Sequence, residues 1–315
     1  MYEKWKGVHT RCAFNMIQEL IPLTRPRTLA AALGPTILGA AFSYYAFGAA
    51  QGTGLAIFHT VLIFLAVVTA QIVANLWNEY KDFKSGLDAG QKVGNAGSIT
   101  RGVITPELII TMIKVLMFVP ITIGIYLSAT ITWYYIPIGF LCILISFLYS
   151  GGPKPISRTP FGEISSGIAM GFTIVLITGY AWIRELSLAL LIPAIPSTLL
   201  VGSIMLTNNI RDIRNDESHG RHTLPIVLGR ERALSLMSIS YIFNFIWIIA
   251  WIIIGHMTWF ALLAFLSAPL AFKTIRTLST NTDEFQLDKA MGTTAGAAMI
   301  YQLMWAIGLI MGKLF

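Results

Sequence analysis

Charge is the scarcest commodity in this sequence. Lys, Arg, Asp and Glu together make up 12% of its 315 residues, against roughly 25% in soluble domains. That leaves too little polar surface to clothe a soluble enzyme. Cysteine is nearly absent: Cys12 and Cys142 are the whole complement, with no CxxC spacing, which excludes a disulfide scaffold and a zinc ribbon. The five histidines form no HExxH or HxxxH pattern. His219 and His222 are three apart, but no further His or Cys completes a metal site around them. The net charge is +7, yet a nucleic-acid reader needs a solvated basic face, and this chain has little solvated face of any kind. No nucleic-acid partner is expected. Lys4, Lys6, Arg11 and Glu19 interrupt any signal-peptide core within residues 1–28. That segment reads as a short amphipathic helix on a membrane surface, with Trp5, Phe14, Met16 and Ile17 on its apolar side.

What is abundant is hydrocarbon. Hydrophobic residues make up 55% of the chain and the mean hydropathy is +0.69. A spanning helix needs about 20 mostly apolar residues. Nine blocks qualify, near 29–49, 53–77, 106–128, 131–150, 162–182, 186–207, 232–254, 257–277 and 291–312. The fifth is rich in Gly and Ser, which membrane helices tolerate because small residues let backbones pack closely. The expected fold is therefore an all-α polytopic membrane protein: about nine helices in one domain, residues 29–315, behind the interfacial segment 1–28.

The basic residues test this count. Of 22 Lys and Arg, only Arg184 and Lys313 fall on the face opposite the N-terminus, while Lys114 lies inside the third block. All others fall before the first block or in alternate loops on the N-terminal side. So lopsided a distribution places the N-terminus in the cytoplasm and, with nine spans, the C-terminus outside. Trp133, Tyr134, Tyr135, Trp259 and Phe260 read as belts at the membrane interface.

Two cytoplasmic loops, 78–105 and 208–231, hold most of the polar chemistry. One opens "NEYKDFKSGLD", the other "NNIRDIRNDESHGRH". Asn78 stands four residues before Asp82, and Asn208 four before Asp212. Each loop adds another acid, Asp88 and Asp216. Four spans separate the two, so the pair reads as a degenerate internal repeat facing one cavity. Spacings of three and four put Asn78, Glu79 and Asp82 on one helical face, and Asn208, Asp212 and Asp216 on another. Carboxylate and amide oxygens suit Mg²⁺, with a diphosphate as the shared ligand. Lys81, Lys84, Arg211, Arg214 and Arg221 lie close enough in sequence to neutralise phosphate oxygens. The plain alternative is solvated loop charge. It accounts for the lysines, which the positive-inside rule requires, but not for the acids, which are costly at a membrane edge unless paired or functional.

At these residues the sequence resembles the UbiA-type intramembrane aromatic prenyltransferases. Their mark is an N[DE]xxDxxxD-like motif after the second helix and DxxxD after the sixth. Here those are Asn78-Glu79 with Asp82, and Asp212 with Asp216. The last Asp of the first motif, Asp88, stands six rather than four residues beyond Asp82. "YSGGPKPIS" from Tyr149, "LTRPRTL" around Arg25 and "NNIRDIRNDESHGRHTLPIVLG" are most similar to the branch that prenylates 1,4-dihydroxy-2-naphthoate in menaquinone biosynthesis. Glu79 stands where many relatives carry Asp, and Lys154 where that branch carries Tyr. The resemblance covers nearly the whole chain.

It implies a helical bundle around a cavity capped by the two acidic loops, in a cell membrane, with the active site on the cytoplasmic side. Mg²⁺ would be held by Asn78, Glu79, Asp82, Asp88, Asn208, Asp212 and Asp216. Arg101, Lys154, Arg211, Arg221 and Lys84 would contact phosphate. Arg25 and Tyr149 would flank the aromatic acceptor, unless they only anchor the interface. The substrates implied are a polyprenyl diphosphate, its tail in lipid, and an aromatic ring, 1,4-dihydroxy-2-naphthoate, alkylated with loss of CO₂ and diphosphate. The Gly-rich stretch 89–104 would act as a lid against water. Another acceptor, such as 4-hydroxybenzoate, homogentisate or an isoprenoid lipid precursor, fits the acidic motifs equally. A secondary transporter is the alternative of another class, although transporters place charge near the bilayer midplane and these acids sit at helix ends.

Overall fold

The computed structural model describes residues 20–87 and 97–315; the expected surface helix over 1–28, Cys12 and Asp88 lie wholly or largely outside them. The described residues form helices and no strand. In chain order these are α1 (Ala30–Phe47), α2 (Thr53–Ser85), α3 (Pro106–Thr130), α4 (Tyr135–Ser150), α5 (Gly162–Ile183), α6 (Leu191–Ser218), the short α7 (Leu224–Leu228), α8 (Arg230–Ile253), α9 (Trp259–Thr280) and α10 (Glu284–Leu314). Among the described residues eight helices are long and apolar enough to cross a membrane. The fourth expected block is α4, with 16 residues, so it reaches only about 24 Å and falls short of that length.

The outward surface is what a bilayer requires. Phe118, Phe140, Ile239 and Phe272 are each more than 60% exposed, which would be an aggregation hazard in water. Inside, a large apolar cluster joins α1, α6, α8, α9 and α10 through residues such as Phe42, Leu200, Met237, Tyr301 and Trp305. Hydrocarbon gives helices no hydrophobic reason to associate, so close packing and interhelical hydrogen bonds do that work. Thr207 and Thr294 hydroxyls lie 2.9 Å apart, Ser197 donates to Gln302 at 2.9 Å, and Thr274 donates to Thr293 at 2.8 Å. Small residues act where expected in the fifth block. A Cβ on Gly167 would stand 2.6 Å from the Thr198 carbonyl oxygen, and one on Gly171 2.6 Å from that of Ser197. The backbones of α5 and α6 therefore touch. At this contact α5 widens into a π-helical stretch, Gly167–Phe172, a local distortion often found at functional sites.

Two expectations change. The polar stretches after the second and sixth blocks are not loops at their starts. Asn78–Ser85 is the end of α2 and Asn208–Ser218 the end of α6. The apolar pattern stops there, but Glu, Lys and Arg are good helix formers, so the helices continue. At 33 and 28 residues they run about 50 and 42 Å, beyond the roughly 30 Å hydrocarbon core. Gly86, in the left-handed region at φ 73°, ends α2, and its N–H bonds back to Asp82 and Phe83 carbonyls. Tyr135 is not a surface belt residue: it is 7% exposed and its hydroxyl donates to the Ile177 carbonyl at 2.6 Å. Trp133 and Trp259 do face outward.

The two basic residues expected on the far face meet helix ends there. Arg184 donates to the Thr130 carbonyl and to Gln51, and Lys313 to the Tyr45 carbonyl. The carbonyls lie near the C-terminal ends of α3 and α1, where a cation is favoured.

Candidate active site

The protruding ends of α2 and α6 set the geometry. They bring Asp82 and Asp216 to opposite sides of one guanidinium: Arg221 reaches Asp82 Oδ1 and Asp216 Oδ1, each at 3.2 Å. Arg221 stands just past the end of α6, and its own N–H donates to the Asp216 carbonyl at 3.0 Å. The two motifs, 134 positions apart between Asp82 and Asp216, thus form one cluster. Asp216 is 2% exposed, and the Arg221 and Asp82 side chains 13%. An uncompensated carboxylate this buried would be costly, so the contact is an energetic necessity in this state.

A second guanidinium sits beside it. Arg211 makes a two-pronged contact with Asp212, Nε and Nη2 each 2.7 Å from a carboxylate oxygen. Its Nη2 also donates to Asn208 Oδ1 at 2.8 Å, and its Nη1 to Asp288 at 2.9 Å. Asp288, near the start of α10, also holds Arg27 at 2.7 Å. Asn78 accepts a short hydrogen bond from the Ser150 hydroxyl at the end of α4. Glu79 is buried, and its Oε1 accepts from the Ser98 N–H at 2.9 Å. It therefore ties α2 to the turn that precedes α3, which also carries Arg101.

Below this polar cap lies a cavity of about 300 Å³. Its rim carries Arg25, Asn78, Tyr149, Asn208 and Arg221; its body carries Val73, Met117, Leu127, Ile174 and Ile204. Arg25 reaches the rim on a left-handed backbone, φ 50°. Of the residues expected from sequence, the structure gathers Asn78, Asp82, Asn208, Arg211, Asp212, Asp216 and Arg221 at the cap, with Arg25 and Tyr149 on the cavity wall. Lys154 is exposed on the loop after α4, and Lys84 caps the Tyr80 ring at 5.2 Å; neither lines the cavity. Of the expected lid, 97–104 is a turn, with Ser98, Ile99 and Ile104 buried.

The donor set fits a hard divalent cation. It offers carboxylate and amide oxygens and no soft ligand, and guanidinium groups stand among those oxygens. Among the described residues no three acids are drawn together as a metal-holding group.

The model of the UbiA prenyltransferase family matches residues 32–307. The chain belongs to that family. It is a membrane-embedded enzyme, and family membership decides against the transporter reading. It is 36% identical to a 1,4-dihydroxy-2-naphthoate octaprenyltransferase from Bacillus subtilis, over 94% of this chain and 93% of that one. It is 26% identical to the protein of the same name from Escherichia coli, over 96% and 99%. Among solved structures, a UbiA homologue from Aeropyrum pernix matches with TM-score 0.67 at 18% identity, over 90% of this chain and 97% of that one. One from Archaeoglobus fulgidus, bound to GPP and Mg²⁺, matches with TM-score 0.62 at 15% identity, over 93% and 99%. At those identities the structures support the fold alone.

Asp288, Arg27, Glu163 and Asn209 were not singled out from the sequence. Asp288 and Glu163 carried a usable signal, since an acid at or inside an apolar block is costly unless it has a task. Asn209 was hidden by its neighbour Asn208.

Proposed function

We propose that this prenyltransferase moves a polyprenyl group from its diphosphate to 1,4-dihydroxy-2-naphthoate, with loss of CO₂ and diphosphate, as the prenylation step of menaquinone biosynthesis. The observation that carries the reading is the convergence of Asp82 and Asp216 on Arg221 over an apolar cavity. Such a site suits a molecule with a multiply charged head and a hydrocarbon tail. The choice of acceptor rests on the printed names of the relatives. The strong bias of Lys and Arg supports a cytoplasmic N-terminus and a cytoplasmic active site in the cell membrane.

Asp82, Asp212 and Asp216, helped by Asn78, Asn208 and Glu79, would hold Mg²⁺. Bound there, Mg²⁺ would neutralise the charge that develops on the leaving diphosphate. Arg211 and Arg221 supply forked donors for phosphate oxygens, and Asp288 keeps Arg211 aimed from behind. Arg101 and Lys154, on turns at the same end of the bundle, are further candidates for phosphate contact. The apolar body of the cavity excludes water, which would capture an allylic cation before the ring does. Arg25 and Tyr149 face the space left for the ring.

The test uses membranes containing the protein, supplied with all-trans polyprenyl diphosphate, Mg²⁺ and either 1,4-dihydroxy-2-naphthoate or 4-hydroxybenzoate. The expected product is the decarboxylated prenyl naphthoquinol, identified by mass. Prenylation of 4-hydroxybenzoate alone would refute the acceptor assignment, and transfer to neither acceptor would refute the reading.

A further inference from the structure

One buried carboxylate has no part in the cluster above. Glu163 is the second residue of α5 and is 6% exposed. Its Oε1 accepts from the Asn209 Nδ2 at 2.8 Å, while its Oε2 is buried with no hydrogen-bond partner. Holding a charge-bearing group in such a place costs free energy, so its retention calls for a reason.

The reason lies in what Glu163 does to Asn209. Asn209 is 5% exposed and lines the cavity. It lies about 100° around α6 from Asn208, and two turns before Asp216 on nearly the same face. A carboxylate accepts and does not donate. Glu163 engages the NH₂ end of the Asn209 amide. That fixes the amide and leaves its carbonyl oxygen as the group offered to the cavity. The Tyr149 hydroxyl lies on the same wall: a Cβ on Gly162 would stand 3.2 Å from it and 3.9 Å from Asn209 Nδ2. The Tyr149 hydroxyl also lies within the field of Asp216 and Arg221, so this wall adjoins the diphosphate site.

We infer that Asn209 and Tyr149 form a subsite for a ring hydroxyl of the aromatic acceptor, and that Glu163 is the positioning residue that sets the direction of the Asn209 amide. The inference deepens the proposed function and rests on it. A hydroxyl donating to the Asn209 carbonyl would hold the ring against this wall. It also leaves electron density on the ring that attacks the prenyl group. A wall that hydrogen-bonds a hydroxyl discriminates strongly against an analogue lacking it.

The experiment measures the wild type first. If membranes prenylate 1,4-dihydroxy-2-naphthoate, the proposed function stands and the subsite is tested separately. Inhibition by 1-hydroxy-2-naphthoate and by 2-naphthoate, which lacks the hydroxyl, is compared, together with KM for each substrate. The wild type is expected to prefer the hydroxylated inhibitor about tenfold, the worth of one hydrogen bond. In Asn209→Leu and Glu163→Leu that preference falls to about one. Acceptor KM then rises about tenfold while KM for the prenyl diphosphate stays within twofold. Glu163→Gln keeps a carbonyl for the Asn209 NH₂ and retains the preference. Should a leucine variant fail to fold, Asn209→Ala, which removes the amide without adding bulk, replaces it with the same expectation. An unchanged preference in these variants, or an equal rise in both KM values, overturns the inference.

Discussion

Arg221 joins the two acidic helix ends, and its removal should show it. In Arg221→Ala the carboxylates of Asp82 and Asp216 lose the Arg221 guanidinium, which lies 3.2 Å from each. Asp216 is 2% exposed, so water cannot take the place of the arginine. Removing one partner of a buried pair costs about 3–5 kcal/mol. For a chain of this size each kcal/mol moves the melting temperature by about 2 °C. The variant should therefore melt about 6–10 °C below the wild type in detergent, followed by intrinsic tryptophan fluorescence. Arg221→Lys keeps the charge but not the fork and should fall between. Mg²⁺ with a prenyl diphosphate should narrow the gap, because the cation supplies the missing positive charge. An unchanged melting temperature without ligands, or a gap that widens with Mg²⁺, would refute the reasoning.

Other outcomes follow from the same geometry. Asp288→Ala should lower stability by about 1–3 kcal/mol, because Arg211 loses one of two carboxylates but keeps Asp212; denaturant or thermal unfolding reads this. The exposed arm from Asp288 to Arg27 should matter much less, so Arg27→Ala should cost under about 1 kcal/mol. Gly171→Ala drives a Cβ to 2.6 Å from the Ser197 carbonyl oxygen and should destabilise by about 1–3 kcal/mol through overpacking, visible as a lower melting temperature. Chelation with EDTA should abolish prenyl transfer and excess Mg²⁺ should restore it, measured by product mass.

Much of this architecture was legible because membrane solvation is a strict constraint. Low charge and long apolar blocks announced the helices. The pairing of Asn78–Asp82 with Asn208–Asp216 was legible as spacing. What spacing did not reveal was that both motifs continue their helices. Loss of hydrophobicity marks the edge of the bilayer, not the end of a helix. Nor did it reveal which cations answer which acids. Arg221 and Asp82 are 139 positions apart, and Lys84, much nearer in sequence, turns away to the Tyr80 ring. Glu163 looked like part of a Gly- and Ser-rich span; only its contact with Asn209 gives it a role. Tyr135 carried the composition of an interface belt and proved to be core, because its hydroxyl found a backbone carbonyl.

The central claim is that the two acidic helix ends act as one Mg²⁺–diphosphate site. Its most direct measurement is the Mg²⁺ dependence of prenyl transfer in wild type, Asp82→Ala and Asp212→Ala, with protein amount and fold held equal. Each substitution should cut transfer by about 100-fold or more, the scale for losing one charge-stabilising group, and should raise the Mg²⁺ needed for half-maximal rate. Full activity in either variant at unchanged Mg²⁺ demand would contradict the account.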